Sequence, residues 1–171
     1  SSYPSLSVDL NTSNMIQGAL SDADKQAEQI ASRVNEVAAS GCKTAISVAS
    51  ENAGSSVVVN VKVKSANVEN CRVAVWLLED GIVAAQTGGS STEVHNNVLL
   101  TSSSTVAYGD RIQLDADGAG QNVYRMDVSG AHDLSNCRLV VFTTVPNASG
   151  RFVVDNVVTC PLDGQTAFEY E

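Results

Sequence analysis

Residues 56–64 read SVVVNVKVK, and no other stretch constrains the fold as tightly. Successive side chains of an extended chain point to opposite faces. Val57, Val59, Val61 and Val63 therefore share one face, and Val58, Asn60, Lys62 and Lys64 share the other. A strand with one apolar face has to bury it against a second layer. Further runs of the same kind follow: KTAISVAS, CRVAVWLLE, GIVAAQ, EVHNNVLL, RIQLD, NVYRMDV, CRLVVFTTV and RFVVDNVVTC. Turn-forming stretches such as EDG, TGGSS, DADGAGQN and PNASG divide them. Short strands at such regular spacing predict a mainly β fold, an antiparallel two-sheet β-sandwich (immunoglobulin-like or jelly-roll-like) over residues 42–171.

The first forty-one residues lack this period and predict a helical N-terminal segment. NTSNMIQGAL reads as a short helix capped by Asn11 or Ser13. A longer helix is predicted from Ser21 as N-cap, with Asp22 and Asp24 in its first turn and Gly41 as its stop. Ala27, Ile30, Ala31, Val34, Val37 and Ala38 recur at helical spacing. That stripe is expected to lie flat against the sandwich or a second copy, making a homo-oligomer through the helix one expected partnership.

Charge narrows the partners. Ten basic residues against nineteen acidic ones give a net charge of −9. Nucleic-acid binding needs a basic face and is not expected, nor is docking on an anionic membrane surface. The opening SSYPSLSVDL lacks the basic start and apolar core of a signal peptide, so the first residue is expected to be a processed end.

The four cysteines form no C-x-x-C and are not clustered with the two histidines. Two of them open similar runs, NCRVAVWLLEDG from Asn70 and NCRLVVFTTVPNASG from Asn136. Closing the last hairpin through Asn147–Gly150 sets Pro146 opposite Arg151. The same register sets Cys137 opposite Cys160, Leu139 against Val158, Thr143 against Val154 and Val145 against Phe152. Cys137–Cys160 is then the expected disulfide, with Cys42–Cys71 as the remaining pair, in an oxidising compartment. A one-residue bulge would shift this register.

Other candidate chemistry is sparse. His95 and His132 come without a G-x-S-x-G elbow, and His132 in SGAHDLSN is expected to be solvated rather than catalytic. Glu79 and Asp80 are adjacent, and Asp80-Gly81 reads as the two-residue turn of a hairpin. DADGAGQNVYRM begins like a calcium loop at Asp115, Asp117 and Gly120. It has Ala119 at the fifth position and Met126 at the twelfth, where a glutamate belongs, so a loop tip is expected. Neither calcium nor a transition metal is expected to bind, and no cofactor is implied.

The succession WLLEDGIVAAQ, EVHNNVLL, GDRIQL and NCRLVVFTTVPNASGRFVVDNVV resembles the C-terminal domain of the twenty-eight-kilodalton outer-membrane protein family of Bacteroidetes, over roughly Val57 to Val158. Glu79, Asp80, Gly81, Ile82, Val83, Gln86, His95, Asn96, Val98 and Leu99 fit that family's pattern. Asn97 and Leu100 stand where the family has a second His and an Arg. The resemblance implies an exported protein at the outer membrane, cell surface or periplasm. It also implies a mainly structural role for these residues, with Glu79 and His95 hydrogen-bonded across neighbouring strands. In the family this sandwich follows a thioredoxin-like domain, and Tyr3-Pro4 with the helix after it resembles that domain's tail. The implied function is non-enzymatic: a binding or assembly module for an unidentified protein or glycan partner. An accessory domain of a thiol–disulfide oxidoreductase and a carbohydrate-binding module are the alternatives. The second needs exposed aromatic side chains, and Trp76 lies within an apolar strand.

Overall fold

A computed structural model describes residues 5–12, 15–18, 22–65, 70–89 and 91–168. Tyr3-Pro4, Ser13 and Ser21, singled out above, lie outside the described residues. In chain order the elements begin with β1 (Ser5–Leu6), β2 (Ile16–Gln17), the helix α1 (Ala23–Ala38), β3 (Thr44–Asn52) and β4 (Ser56–Ser65). They continue with β5 (Arg72–Glu79), β6 (Ile82–Ala84), β7 (Glu93–His95), β8 (Val98–Ser102), β9 (Asp110–Arg111) and β10 (Ala119–Asp127). The last are β11 (Cys137–Pro146), β12 (Phe152–Cys160) and β13 (Gly164–Gln165).

Two antiparallel sheets form a sandwich. One runs β10-β4-β3-β13 and the other β12-β11-β5-β8, with β9 also on β5. The alternation in β4 has the expected consequence. Val57, Val59, Val61 and Val63 are buried, and they join Val73, Val75, Leu77, Leu139 and Val141 of the other sheet in one core. Each such side chain contributes roughly 1.5–3 kcal/mol on burial. Strands β5 and β11 do not alternate, because their outer face is covered as well. Ala74 and Phe142 are buried there, and the Trp76 ring meets Phe142 edge-on at 4.8 Å. The chain from Ser103 to Gly109 presses against that face. A Cβ on Gly109 would stand 2.3 Å from the Val73 carbonyl oxygen, so only glycine fits.

Several expectations need correction. Within the NTSNMIQGAL stretch, Ile16 and Gln17 form β2, paired with β1, where helix was expected. Helix α1 is capped by Asp22, whose Oδ1 accepts the amides of Asp24 and Lys25. Its stripe does not lie flat against the sandwich of its own chain. No described residue of α1 is buried, and Val34 is 48% exposed. Val34, Val37 and Ala38 instead border a cleft of about 610 Å³ against β11 and β12. Such short side chains cannot span the gap.

The last hairpin is shifted twice. Its turn takes one more residue than expected, so Pro146 faces Phe152, and a bulge at Asp155 then sets Thr143 opposite Asn156. The bulge has a partner: Asp155 accepts the amides of Lys43 and Thr44 and the Thr44 hydroxyl. Cys160 consequently faces Leu139, and Cys137 lies beyond the end of β12. No disulfide joins Cys42, Cys71, Cys137 or Cys160. Among the described residues no helix is long and apolar enough to cross a membrane.

Candidate functional site

Strand β5 runs out of the core into Glu79-Asp80-Gly81, where charged and amide side chains gather at the end of the sheet. Leu78 pairs with Leu99 and Glu79 with Val98. Beyond a two-residue gap Ile82 pairs with His95, Val83 with Val94 and Ala84 with Glu93. The register across the gap is unbroken, so β5–β6 and β7–β8 are the two strands of one long hairpin. Asp80-Gly81 is therefore not its turn but its neck, opposite Asn96-Asn97, and the expected single strand EVHNNVLL divides there. Beyond the neck β6 and β7 pair only with each other.

Side chains replace the missing backbone ladder at the neck. The Asn97 amide donates to Asp80 Oδ1 at 2.6 Å, and the Gly81 amide donates to Asn96 Oδ1 at 3.0 Å. Gly81 (φ 76°) and Asn97 (φ 57°) both adopt the left-handed conformation, for which glycine and asparagine are the suited residues. Arg138, on the adjacent strand β11, donates one guanidinium nitrogen to Asp80 and another to the Asn97 side-chain oxygen. The Asp80 amide donates to the Asn136 carbonyl at 3.1 Å.

Glu79 secures the neck from inside. Its carboxylate is 1% exposed and accepts the amides of His132 (3.0 Å) and Asp133 (2.7 Å), with His132 Nδ1 at 3.2 Å. It does not bond to His95, the partner expected for it. Burial pushes the Glu79 carboxyl pKa up, but the His132 and Asp133 amides and the His132 ring outweigh it and hold it below the usual value. The Asn97 amide, followed by Arg138, lowers that of Asp80 against a smaller opposing burial. Asp133 then caps the 3-10 turn Leu134–Asn136 that leads into β11.

This arrangement settles the second Asn-Cys-Arg. Asn136 supplies a carbonyl, Cys137 is buried with its Sγ 3.4 Å from the Asp133 carbonyl oxygen, and Arg138 clamps the neck. Burial, then the charges of Glu79, Asp133 and Asp80, push the Cys137 thiol pKa up. Burial, aided by Asp155, pushes Cys71 up to about 12. Neither has the thiolate character that nucleophilic chemistry needs. His132 is mostly exposed, and no hydroxyl or thiol among the described residues is hydrogen-bonded to it. The neck's carboxylates are engaged in holding three chain segments together.

The polar residues and the glycine of the family pattern do not form one cluster. Glu79, Asp80, Gly81 and Asn96 meet at the neck, His95 stands opposite Ile82 just beyond it, and Gln86 lies in the tip turn, its carbonyl accepting the Gly89 amide. The His95 Nε2 is buried without a hydrogen-bond partner. At the tip Val83 and Val94 pair side by side, 63% and 60% exposed. From Gly81 to Thr92 the chain carries no charged side chain. Sequence reasoning missed Asp133 and Arg138, and it named Asn97 and His132 without their role at the neck. Only Arg138 carried a signal, through the repeated Asn-Cys-Arg. In the calcium-like loop, Asp115 Oδ1 accepts the amides of Asp117 and Ala119, the geometry of a turn.

The family described as "Outer membrane protein Omp28" matches residues 1–165. No curated protein sequence matches the chain. Among solved structures, HBP35 of Porphyromonas gingivalis is similar, with a TM-score of 0.67 at 14% identity over 79% of this chain and 46% of that one. The likeness is one of fold, and this chain spans less than half of that protein's length.

Proposed function

Because the chain belongs to the Omp28 outer membrane protein family, a group of exported, outer-membrane-associated proteins, we propose that it is a non-enzymatic binding and assembly module. Its contact element is the hairpin arm formed by β6 and β7. The observation that carries this reading is the division of labour along that hairpin. Glu79, Asp80 and Asn96 of the family pattern are used at the neck, where they accept backbone amides and, at Asp80, the Arg138 guanidinium. The arm they position bears two exposed valines, and its one carboxylate is Glu93 at the start of β7. Apolar side chains exposed on a short paired ribbon suit contact with another protein, and open ribbon edges accept a further strand.

Site-specific photo-crosslinking in outer-membrane preparations tests it. A photoreactive residue at Val83 or Val94 is expected to give an adduct of discrete mass. The same residue at Val123, equally exposed at 62% on the polar face of the other sheet, is expected to give none. Indistinguishable adduct patterns at all three positions would remove the arm from the account.

A further inference from the structure

At the end of β11 remote from the neck, a second concavity of about 460 Å³ opens between the turn after β1, the chain before β9 and the β11–β12 turn. Its walls are better fixed than its exposed position requires. The Tyr108 and Phe152 rings stack at 5.3 Å with 21° between their planes. The Arg72 guanidinium lies 5.0 Å from one ring centre and 4.6 Å from the other, and it is anchored by donating to the Gly109 carbonyl at 3.0 Å. The Tyr108 carbonyl accepts the Thr144 hydroxyl at 2.7 Å. Across the opening Asp9 and Leu10 adopt φ of 54° and 58°, and the Asp9 carbonyl accepts the Val154 amide at 2.9 Å. A left-handed leucine is costly, and here it lines the cavity. Asn11, Thr12 and Arg151 place an amide, a hydroxyl and a guanidinium along the same wall, Arg151 donating to the Thr12 hydroxyl oxygen at 3.5 Å.

We propose that this cavity is a saccharide site. A pyranose ring presents an apolar face of C–H groups and a rim of hydroxyls. The cavity offers it the complement, an aromatic pair held in place from behind and hydrogen-bonding groups at the side. Tyr108, 38% exposed, is the platform open to solvent. The volume admits one or two sugar rings, so the site takes a short segment or a chain end. It lies at the opposite end of β11 from the arm, and its fate is independent of the arm's.

The test is amide-detected NMR of the whole chain titrated with methyl glycosides of glucose, galactose, mannose and N-acetylglucosamine, up to about 20 mM, since isolated sugar contacts reach only the millimolar range. Saturable shifts confined to residues around Tyr108, Phe152, Arg151 and Asn11 are expected with at least one glycoside. Tyr108→Ala is expected to weaken binding about tenfold and Tyr108→Phe to preserve it, because the ring and not its hydroxyl is the platform. Competition by vesicles bearing lipopolysaccharide identifies a membrane-borne glycan as the source, and its absence a free one. Either result keeps the site. No saturable shift with any of the four glycosides, or shifts that map elsewhere on the wild-type chain, would overturn the proposal even if Tyr108→Ala fails to fold.

Discussion

The two ends of the long hairpin obey opposite rules. At the neck a buried carboxylate, a second carboxylate, a guanidinium and two asparagines satisfy one another and the backbone amides around them. At the tip, a few residues away along the same two strands, two valines stand exposed side by side, and Glu93 is the one carboxylate of the arm. Buried polar groups need partners to be tolerated, so a polar cluster this complete is built to fix a position. A bare paired ribbon gains nothing for the fold by itself. The neck determines where the tip is held, and the tip is what remains available for contact.

Substitutions along the hairpin sharpen that contrast. The largest effect is expected just inside the neck, where Leu77 is fully buried. Leu77→Ala is expected to lower unfolding stability by about 3 kcal/mol in urea denaturation.

Glu79→Gln comes next. It leaves the His132 and Asp133 amides an acceptor but removes the charge, and calorimetry at neutral pH is expected to show a melting temperature several degrees lower. Its pH dependence has a definite sign. The folded-state pKa values of Glu79 and Asp80 lie below their ordinary values. Their contribution is therefore complete above the unfolded carboxylate range, near pH 4, and is lost as the pH falls through the lowered folded values. The acid limb of wild-type stability is expected to be steeper than that of Glu79→Gln. Superimposable limbs would mean that Glu79 is not ionised in the neck.

Two glycines separate backbone cost from position. Gly81 at the neck and Gly88 at the tip have nearly the same φ, 76° and 80°, and a Cβ meets little at either. Alanine at each suffers the same left-handed penalty of about 1–2 kcal/mol. Gly81→Ala is expected to register in global unfolding. Gly88→Ala is not, because a segment that opens locally does not transmit its strain to the whole. Smallest of all, Val83→Ser and Val94→Ser are expected to stay within about 0.5 kcal/mol of wild type while losing the crosslinked adduct. Equal destabilisation by the two glycine replacements would break the contrast between neck and tip.

How much of this could be read from the chain depends on how local each feature is. The inward valines of β4 and the breaks around β5, β11 and β12 follow from period and turn chemistry within a few residues, and they are where the sequence places them. The family pattern also drew attention to Glu79, Asp80, Gly81 and Asn96. Their partners His132, Asp133 and Arg138 lie more than fifty residues downstream and reach the neck only through the fold. Asp80-Gly81 has the composition of a tight turn, and its role as a neck depends on Asn96 and Asn97 standing opposite. The register expected for the cysteines was lost in two steps, a turn one residue longer than expected and a bulge where Asp155 is drawn out of the ladder to accept amides from Lys43 and Thr44. Ile16-Gln17 joined a ladder rather than a helix once Ser5-Leu6 was beside it to pair with.

Amide hydrogen exchange along the hairpin tests the central claim most directly. The amides of Gly81, Asn97, His132 and Asp133, each bonded to a neck side chain, are expected to exchange slowly, and the tip amides from Ala85 to Gly89 to exchange quickly. In Glu79→Gln the neck amides are expected to lose protection while those of β3 and β4 keep theirs. Neck amides exchanging as fast as the tip in the wild-type chain, or a Glu79→Gln pattern identical to it, would contradict the claim that this polar network holds the arm.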